Sequence, residues 1–421
     1  MADSIENNDQ LLRTNNSQPD VPNRPTRFQR IRQLALKNFL PLGLVFLVGF
    51  GILVPAPGVF LSEFPTHYIC IVGIFLHSGL KLRTGEIRDT IRAYKALIYQ
   101  ILVIMLLTPI IGVKLTELLP FGREALLSSR SSSTNDGINR TSKMGMNESG
   151  RTSQKNAVLG PAEFKTGIEL YLIVPCTISA GVVLVSQAGG NATLALVTTI
   201  VCNLMAVFTL PVTMKWLMSF EGVKLDAINL LVKLLLTVLL PLVVGKGLRY
   251  IPKVKSFVKR FTNCLKLLSV ALLIMIPWMK VSNSSDQGAF NSLYIPSVFA
   301  ILTWGVGLHV VFMGFNLVVS LVLKFDPPTC KCIVILASQK SLVVMVTVLS
   351  LLPFSSAAQG LMALPAIIIH LGVLVLDAFV VTWWHNRDER RKKEQNDIVL
   401  ETLEQKEEPL DQQAVLYESH L

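Results

Sequence analysis

Polar positions are rare along most of this chain, and the apolar ones come in long blocks rather than in alternation. An apolar block of about 18 residues or more reads as a membrane-spanning helix, because about 20 residues at 1.5 Å each cross a hydrocarbon core of about 30 Å. Ten such spans are expected, at roughly 38–56, 65–82, 95–114, 167–187, 192–217, 227–248, 262–281, 295–323, 332–353 and 362–385. The fourth and fifth are separated only by Gly189, Gly190 and Asn191. Their joint length demands two passes. Transmembrane β-barrels need alternating segments of about ten residues, a pattern this chain lacks. The expected class is an all-α polytopic membrane protein.

Charge then orients the spans. Cytosolic flanks collect Lys and Arg, whereas long loops follow that rule weakly. With the N-terminus placed in the cytosol, the cytosolic flanks hold 23 Lys/Arg and the opposite loops hold three, Lys215, Lys224 and Lys280. Both termini are therefore expected in the cytosol. The stretch 121–165 is left out of that comparison. It is rich in Ser, Asn, Thr and Gly and reads as a disordered insertion on the outer or luminal side. The domain expectation is a cytosolic N-terminal tail at 1–37, a ten-helix domain at 38–386 and a cytosolic C-terminal tail at 387–421. Both tails read as unstructured.

Three sequons fall on the outer side under this topology: Asn139, Asn147 and Asn283. Asn15 and Asn191 also begin sequons but fall on the cytosolic side, where they should stay bare. The chain ends Glu418-Ser-His-Leu421, with Ser two before an apolar last residue, which fits a ligand for a PDZ protein. As a peroxisomal address the same ending is weaker for a ten-span protein. No cleavable signal is visible, so the first apolar block, behind Arg27, Arg30, Arg32 and Lys37, is expected to act as a signal anchor.

The net charge of +11 does not indicate a nucleic-acid partner, because the basic residues lie in short loops between apolar blocks. Six cysteines, mostly inside spans, form no CxxC pair, so neither a zinc site nor a disulfide framework is indicated. GxxxxGK[ST], HExxH and GxSxG are all absent, which argues against an enzyme. No cofactor is expected.

Candidate chemistry lies where polar residues interrupt the spans. Ser338, Gln339, Lys340 and Ser341 break the ninth. A lysine at the centre of a membrane helix costs about 2.5–3.5 kcal/mol, so it marks a substrate or ion path by default. Lys340 lies about eight residues, or about 12 Å, into its span. Pro175-Cys-Thr-Ile-Ser-Ala-Gly181 interrupts the fourth span half-way, and Thr177 and Ser179 can satisfy the freed backbone groups. The fourth of the first five spans and the fourth of the second five are thus both broken. Matching interruptions in two inverted halves point to a secondary transporter's binding site. Gln100, Thr199 and Asn203 are further cavity candidates, and each serves equally as an interhelical hydrogen bond. His370 and Asp377, seven apart, share a face of the tenth span. Asp377 could neutralise Lys340 or relay protons.

The run Phe75-Leu-His-Ser-Gly-Leu-Lys-Leu82, then Thr84-Gly-Glu86, Gly189-Gly-Asn191, Ser338-Gln-Lys-Ser-Leu342 and Ile369-His370, resembles the bile acid–sodium symporter superfamily, and within it the sodium/bile acid cotransporter 7 branch. That resemblance covers about 38–386. It implies two inverted five-helix repeats, a core and a panel domain, and fourth and ninth helices that cross at their broken centres. In sodium-coupled members, side chains including a ninth-span glutamate and a fourth-span asparagine hold sodium. Here Ile335 and Leu336 stand where a carboxylate would be wanted, and the fourth-span break has Ala180 and Gly181 but no Asn. Lys340 is expected to substitute for one bound cation. The resemblance also implies a negative regulator of cellular calcium homeostasis, with calcium-channel components as partners. Links to glycosaminoglycan and glycoprotein assembly and to skeletal development follow from it, as does residence in the plasma membrane, endoplasmic reticulum or Golgi. A sodium-coupled symporter of bile acid-like organic anions, or a non-transporting channel regulator, is the alternative.

Overall fold

The structure, a computed structural model, describes residues 39–81, 93–121, 159–177, 180–218, 226–288, 290 and 295–418, with side chains from 41 to 399 of these. It is helical, with no strand among the described residues. Six helices are long and apolar enough to cross a membrane: α4 (Tyr94–Glu117), α7 (Ala192–Leu217), α8 (Ala227–Leu248), α10 (Thr262–Asp286), α11 (Ile295–Val322) and α14, whose apolar part opens the helix Ser356–Glu418. α1 (Phe39–Leu53) and α2 (Ala56–Glu63) form a pair bent by 97° that makes a seventh if counted as one span. Shorter pieces cover the remaining expected spans: α3 (Thr66–Lys81), α5 (Ala162–Ile173) with α6 (Ala180–Gln187), and α12 (Pro327–Leu336) with α13 (Leu342–Leu351). A surface helix, α9 (Pro252–Arg260), links α8 to α10.

Helix starts follow local chemistry. Asp326 caps α12 by accepting the Thr329 N–H, and Pro327 and Pro328 sit in the first turn, where a missing N–H costs nothing. α12 therefore begins before the expected residue 332. Gly189, at φ 69°, turns the chain out of α6 where a side chain would be strained, and Asn191 caps α7 through Leu194 N–H.

α4 and α8 each contain a five-residue π turn, Val103–Leu107 and Leu235–Leu239. A proline follows each, Pro109 and Pro241, and the residue just before it donates to the first carbonyl of the turn. The next carbonyl, Ile104 or Leu236, would need its π partner at that proline, which has no N–H. Each turn thus leaves one carbonyl unpaired in register.

Two packing groups are visible. α1, α2 and α3 pack on α10, and α3 packs on the C-terminal part of α8. α5 packs on α4 and α14, and α11 packs on α12 and α14. α10 and α14 join the groups. At the α3–α8 contact a Cβ on Gly79 would overlap the Leu242 carbonyl, and one on Gly245 would overlap that of Leu76. Only glycine permits that backbone approach. The outward faces stay apolar: Phe46, Val212, Phe299 and Phe379 are all exposed, as a lipid-facing surface requires.

Two expectations need correction. α10 runs to Asp286, so Asn283 is not in a loop. It is buried, and its amide donates to Ser62 Oγ and to the Met279 carbonyl at 2.8 Å each. A helical, buried asparagine does not present its amide to a glycosylating enzyme. The C-terminal tail is not unstructured either, because α14 continues unbroken to Glu418. Its Glu-, Lys-, Arg- and Gln-rich composition favours helix, and Lys392 pairs with Glu389 one turn away. Asn139, Asn147, the bulk of the 121–165 insertion, Thr84–Glu86, the last three residues and the whole N-terminal tail lie outside the described residues.

Candidate functional site

The two breaks meet. Val174 is extended, the conformation a residue before proline prefers, and it ends α5. Ala337–Ser341 leaves the helix after α12, and the Ser341 side chain caps α13 by accepting the Val344 N–H at 3.3 Å. The Ser341 N–H donates to the Pro175 carbonyl at 2.8 Å, so the freed backbone of one break satisfies the other. Thr177 Oγ1 accepts the Gly181 N–H at 2.8 Å and donates to Gln339 Oε1 at 2.9 Å.

From Gln339 a polar chain runs into the second group of helices. Gln339 Nε2 donates to Asp377 Oδ2 in α14. Asp377 Oδ1 lies 2.9 Å from His309 Nε2 in α11, and His309 Nδ1 lies 3.0 Å from the Ser338 carbonyl. Asn316, two turns along α11 from His309, donates to Ser338 Oγ at 3.0 Å and accepts from Tyr99 of α4 at 2.8 Å. Gln339, His309, Asn316 and Asp377 are all buried, and Asp377 has no exposed surface.

Lys340 is 3% exposed. Its Nζ donates to the Ile104 carbonyl at 3.1 Å. That carbonyl is the one the π turn and Pro109 leave free, so the bend in α4 creates the acceptor the lysine needs. Asp377 is not its neutralising partner, since both carboxylate oxygens are engaged by His309 and Gln339. The ammonium also follows the C-terminal end of α12, where the helix dipole favours positive charge.

A cavity of about 280 Å³ reaches the junction. Thr177 and Ser341 lie at its inner end with Thr199, Asn203 and His370, and Lys81 and Lys266 line it from exposed helix ends. Its walls are largely aliphatic. Asn203 is held by the Thr199 and Cys176 carbonyls at 2.8 and 3.2 Å, which leaves its side-chain oxygen free of protein partners. His370 Nδ1 lies 3.2 Å from the Tyr171 hydroxyl.

Ser338, Gln339, Lys340, Ser341 and Thr177 are thus brought together, with Thr199, Asn203 and His370 on the cavity wall. Gln100 is not among them: it is buried against Cys332, whose thiol lies 3.9 Å from its carbonyl oxygen. Ser179 lies outside the described residues. His309, Asn316 and Tyr171 went unread in the sequence. His309 and Asn316 carried a usable signal, because two polar residues seven apart mark one face of an otherwise apolar helix.

A multi-pass α-helical protein with two helix breaks joined at a buried polar junction, beside an internal cavity, belongs to the class of membrane solute carriers. The chain is a member of the SBF-like CPA transporter family, whose pattern matches residues 38–386. It is 30% identical over 374 residues to the probable sodium/metabolite cotransporter BASS4, chloroplastic, of Arabidopsis thaliana, covering 85% of this chain and 75% of that protein. The rice protein of the same name (Oryza sativa subsp. indica) is 28% identical over 372 residues, covering 85% and 77%. A shorter match, 24% identical over 227 residues, is to the putative symporter YfeH of Escherichia coli K12, covering 54% of this chain and 67% of that one.

Proposed function

We propose that this protein is a secondary carrier that moves an organic anion through the cavity at the two helix breaks. The observation that carries the reading is the cavity itself: aliphatic walls, two lysines at its exposed end, and hydroxyl and amide groups at its inner end. Such a site suits a metabolite with an apolar body and an anionic head. In this reading the chain crosses the membrane ten times as two inverted five-helix repeats, α1, α2, α3, α8 and α10 form the panel, and the remaining spans form the core. Both termini lie in the cytosol, which places Lys81 and Lys266 at a cytosolic mouth.

Sodium coupling is proposed for this chain from the names of its relatives, probable sodium/metabolite cotransporters. The junction's own chemistry argues that one cation position is filled by Lys340. A sodium site wants oxygen ligands and negative charge. Asp377, the carboxylate at the junction, is engaged by His309 and Gln339, and the break itself carries an ammonium, bonded to the Ile104 carbonyl. The cotransporter 7 branch, its calcium-regulating and glycosaminoglycan-linked role, and its secretory-pathway membranes rest on short motifs alone. The carrier reading rests on geometry.

The test is uptake into proteoliposomes holding the full chain. A labelled bile acid and a labelled short 2-oxo acid serve as probes, with and without an inward sodium gradient. Concentrative uptake of either, weakened when Lys81 and Lys266 are both replaced by Gln, is expected. Uptake no greater than in empty liposomes for both probes would overturn the organic-anion reading.

A further inference from the structure

The hydrogen bonds around His309 fix a proton count. The Ser338 carbonyl can only accept, so the 3.0 Å contact places a hydrogen on His309 Nδ1. Gln339 Oε1 receives the Thr177 hydroxyl, so Gln339 turns its N–H toward Asp377 Oδ2. The remaining contact, His309 Nε2 to Asp377 Oδ1 at 2.9 Å, needs a proton between two acceptors. Either the pair is imidazolium and carboxylate, or it is neutral imidazole and carboxylic acid. Both forms hold one proton beyond the neutral-imidazole, ionised-carboxylate state. In that deprotonated state two lone pairs would face each other at hydrogen-bond distance in a buried site.

We propose that His309 and Asp377 form an exchangeable proton site that latches the helix breaks. With the proton in place, α11 is tied to α14, and both are tied to Ser338 and Gln339 of the ninth-span break. When the bond to the shared hydrogen breaks, its electron pair stays on Nε2 or Oδ1 and the proton leaves for water. The pair then carries one negative charge, and one of His309's two contacts becomes repulsive: the one to Asp377 Oδ1 or, with the remaining hydrogen on Nε2, the one to the Ser338 carbonyl. Either way α11 loses one of its ties, to α14 or to the ninth-span break, while Gln339 keeps its bond to Asp377 Oδ2. The proposal rests on the carrier reading only for why a movable junction matters, since the proton count follows from geometry alone.

Other ionisable groups face this pair. Lys340, from the break itself, and Tyr171, from α5, line the small buried pocket that His309 shares. His370, from α14, interacts electrostatically with both Asp377 and His309. The remaining neighbours lining that pocket from α4, α11 and α14 are uncharged: Thr108, Trp304, Phe312 and aliphatic residues. An experiment must therefore separate His309 and Asp377 from Lys340, Tyr171 and His370.

Trp304 lines the same pocket and reports on it. The full chain in lipid nanodiscs is titrated over about pH 4 to 9. The Trp304 signal is taken as the difference between the wild type and Trp304→Phe. One transition is expected. Its loss is expected in both Asp377→Asn and His309→Gln, and its retention in Lys340→Gln, Tyr171→Phe and His370→Gln. Asp377→Asn guards against misfolding: its amide N–H can donate to His309 Nε2 while its oxygen still accepts from Gln339, so the latch closes without a titratable proton. A wild type with no transition, a transition that survives Asp377→Asn, or one abolished only by the Lys340, Tyr171 or His370 variant would overturn the proposal. Failure of every uptake assay would leave this titration unaffected, so the two readings fail separately.

Discussion

Replacing Lys340 by Gln separates the work of the charge from its contribution to folding. In the folded chain the ammonium is buried, with one hydrogen bond, to the Ile104 carbonyl at 3.1 Å. A glutamine amide ends about one bond, or roughly 1.5 Å, short of that position. The contact would stretch well beyond about 3.2 Å and cease to be a hydrogen bond. Losing a bond from a charged donor and orphaning the carbonyl costs about 1.5–3 kcal/mol. Removing a charge from the centre of a membrane helix returns about 2.5–3.5 kcal/mol. The two nearly cancel, so stability should change by less than about 2 kcal/mol in either direction. Thermal unfolding in detergent and glycan attachment should therefore stay near wild type. Uptake should fall to background, because the fixed cation that organises the junction is gone. A well-folded Lys340→Gln protein with full uptake would refute the idea that the lysine stands in for a bound cation. A variant that fails to fold would refute the energetic argument.

Gly79→Val places side-chain atoms against the Leu242 carbonyl and should destabilise the α3–α8 contact by about 3 kcal/mol or more. Gly49→Ala, with no atom within 4 Å of the new Cβ, should stay within about 0.5 kcal/mol, and paired melting curves in detergent compare the two. Asn283→Gln should leave the deglycosylation shift on a gel unchanged, because that amide is bonded to Ser62 and Met279 rather than to sugar. Lys331 donates to the Ala188 carbonyl at 2.8 Å and pairs with Asp388 of α14, so it clamps the α6–α7 turn to the extended helix. Lys331→Met should change global stability by about 1 kcal/mol or less, while cleavage of α14 beyond Asp388 in limited proteolysis should speed up.

Much of the site was visible as chemical discord along the chain. Lys340 and its polar neighbours stood out because apolar surroundings make a charge costly. Pro175 stood out because it cannot continue a helix. Their partners did not stand out. The expected link between Lys340 and Asp377 fits the sequence well, yet the lysine reaches a backbone carbonyl, which has no signature beyond a proline five residues later. Asp377 meets His309 instead, a residue whose face on α11 could be read but whose facing helix could not. Asn283 looked like a loop acceptor because the pattern of apolar residues ends near 281, whereas its helix continues by packing polar groups against Ser62 and the backbone of its neighbours.

The amino-acid sequence by itself determined that the chain lives in a membrane, where its helices fall and where two of them break, because those outcomes follow from local hydrophobicity, capping and proline geometry. Tertiary structure decided that Ser341 satisfies Pro175, that a π turn offers Ile104 to Lys340, and that His309 meets Asp377. Those pairings depend on which helix faces meet, and groups that meet lie as far as 236 residues apart in the chain.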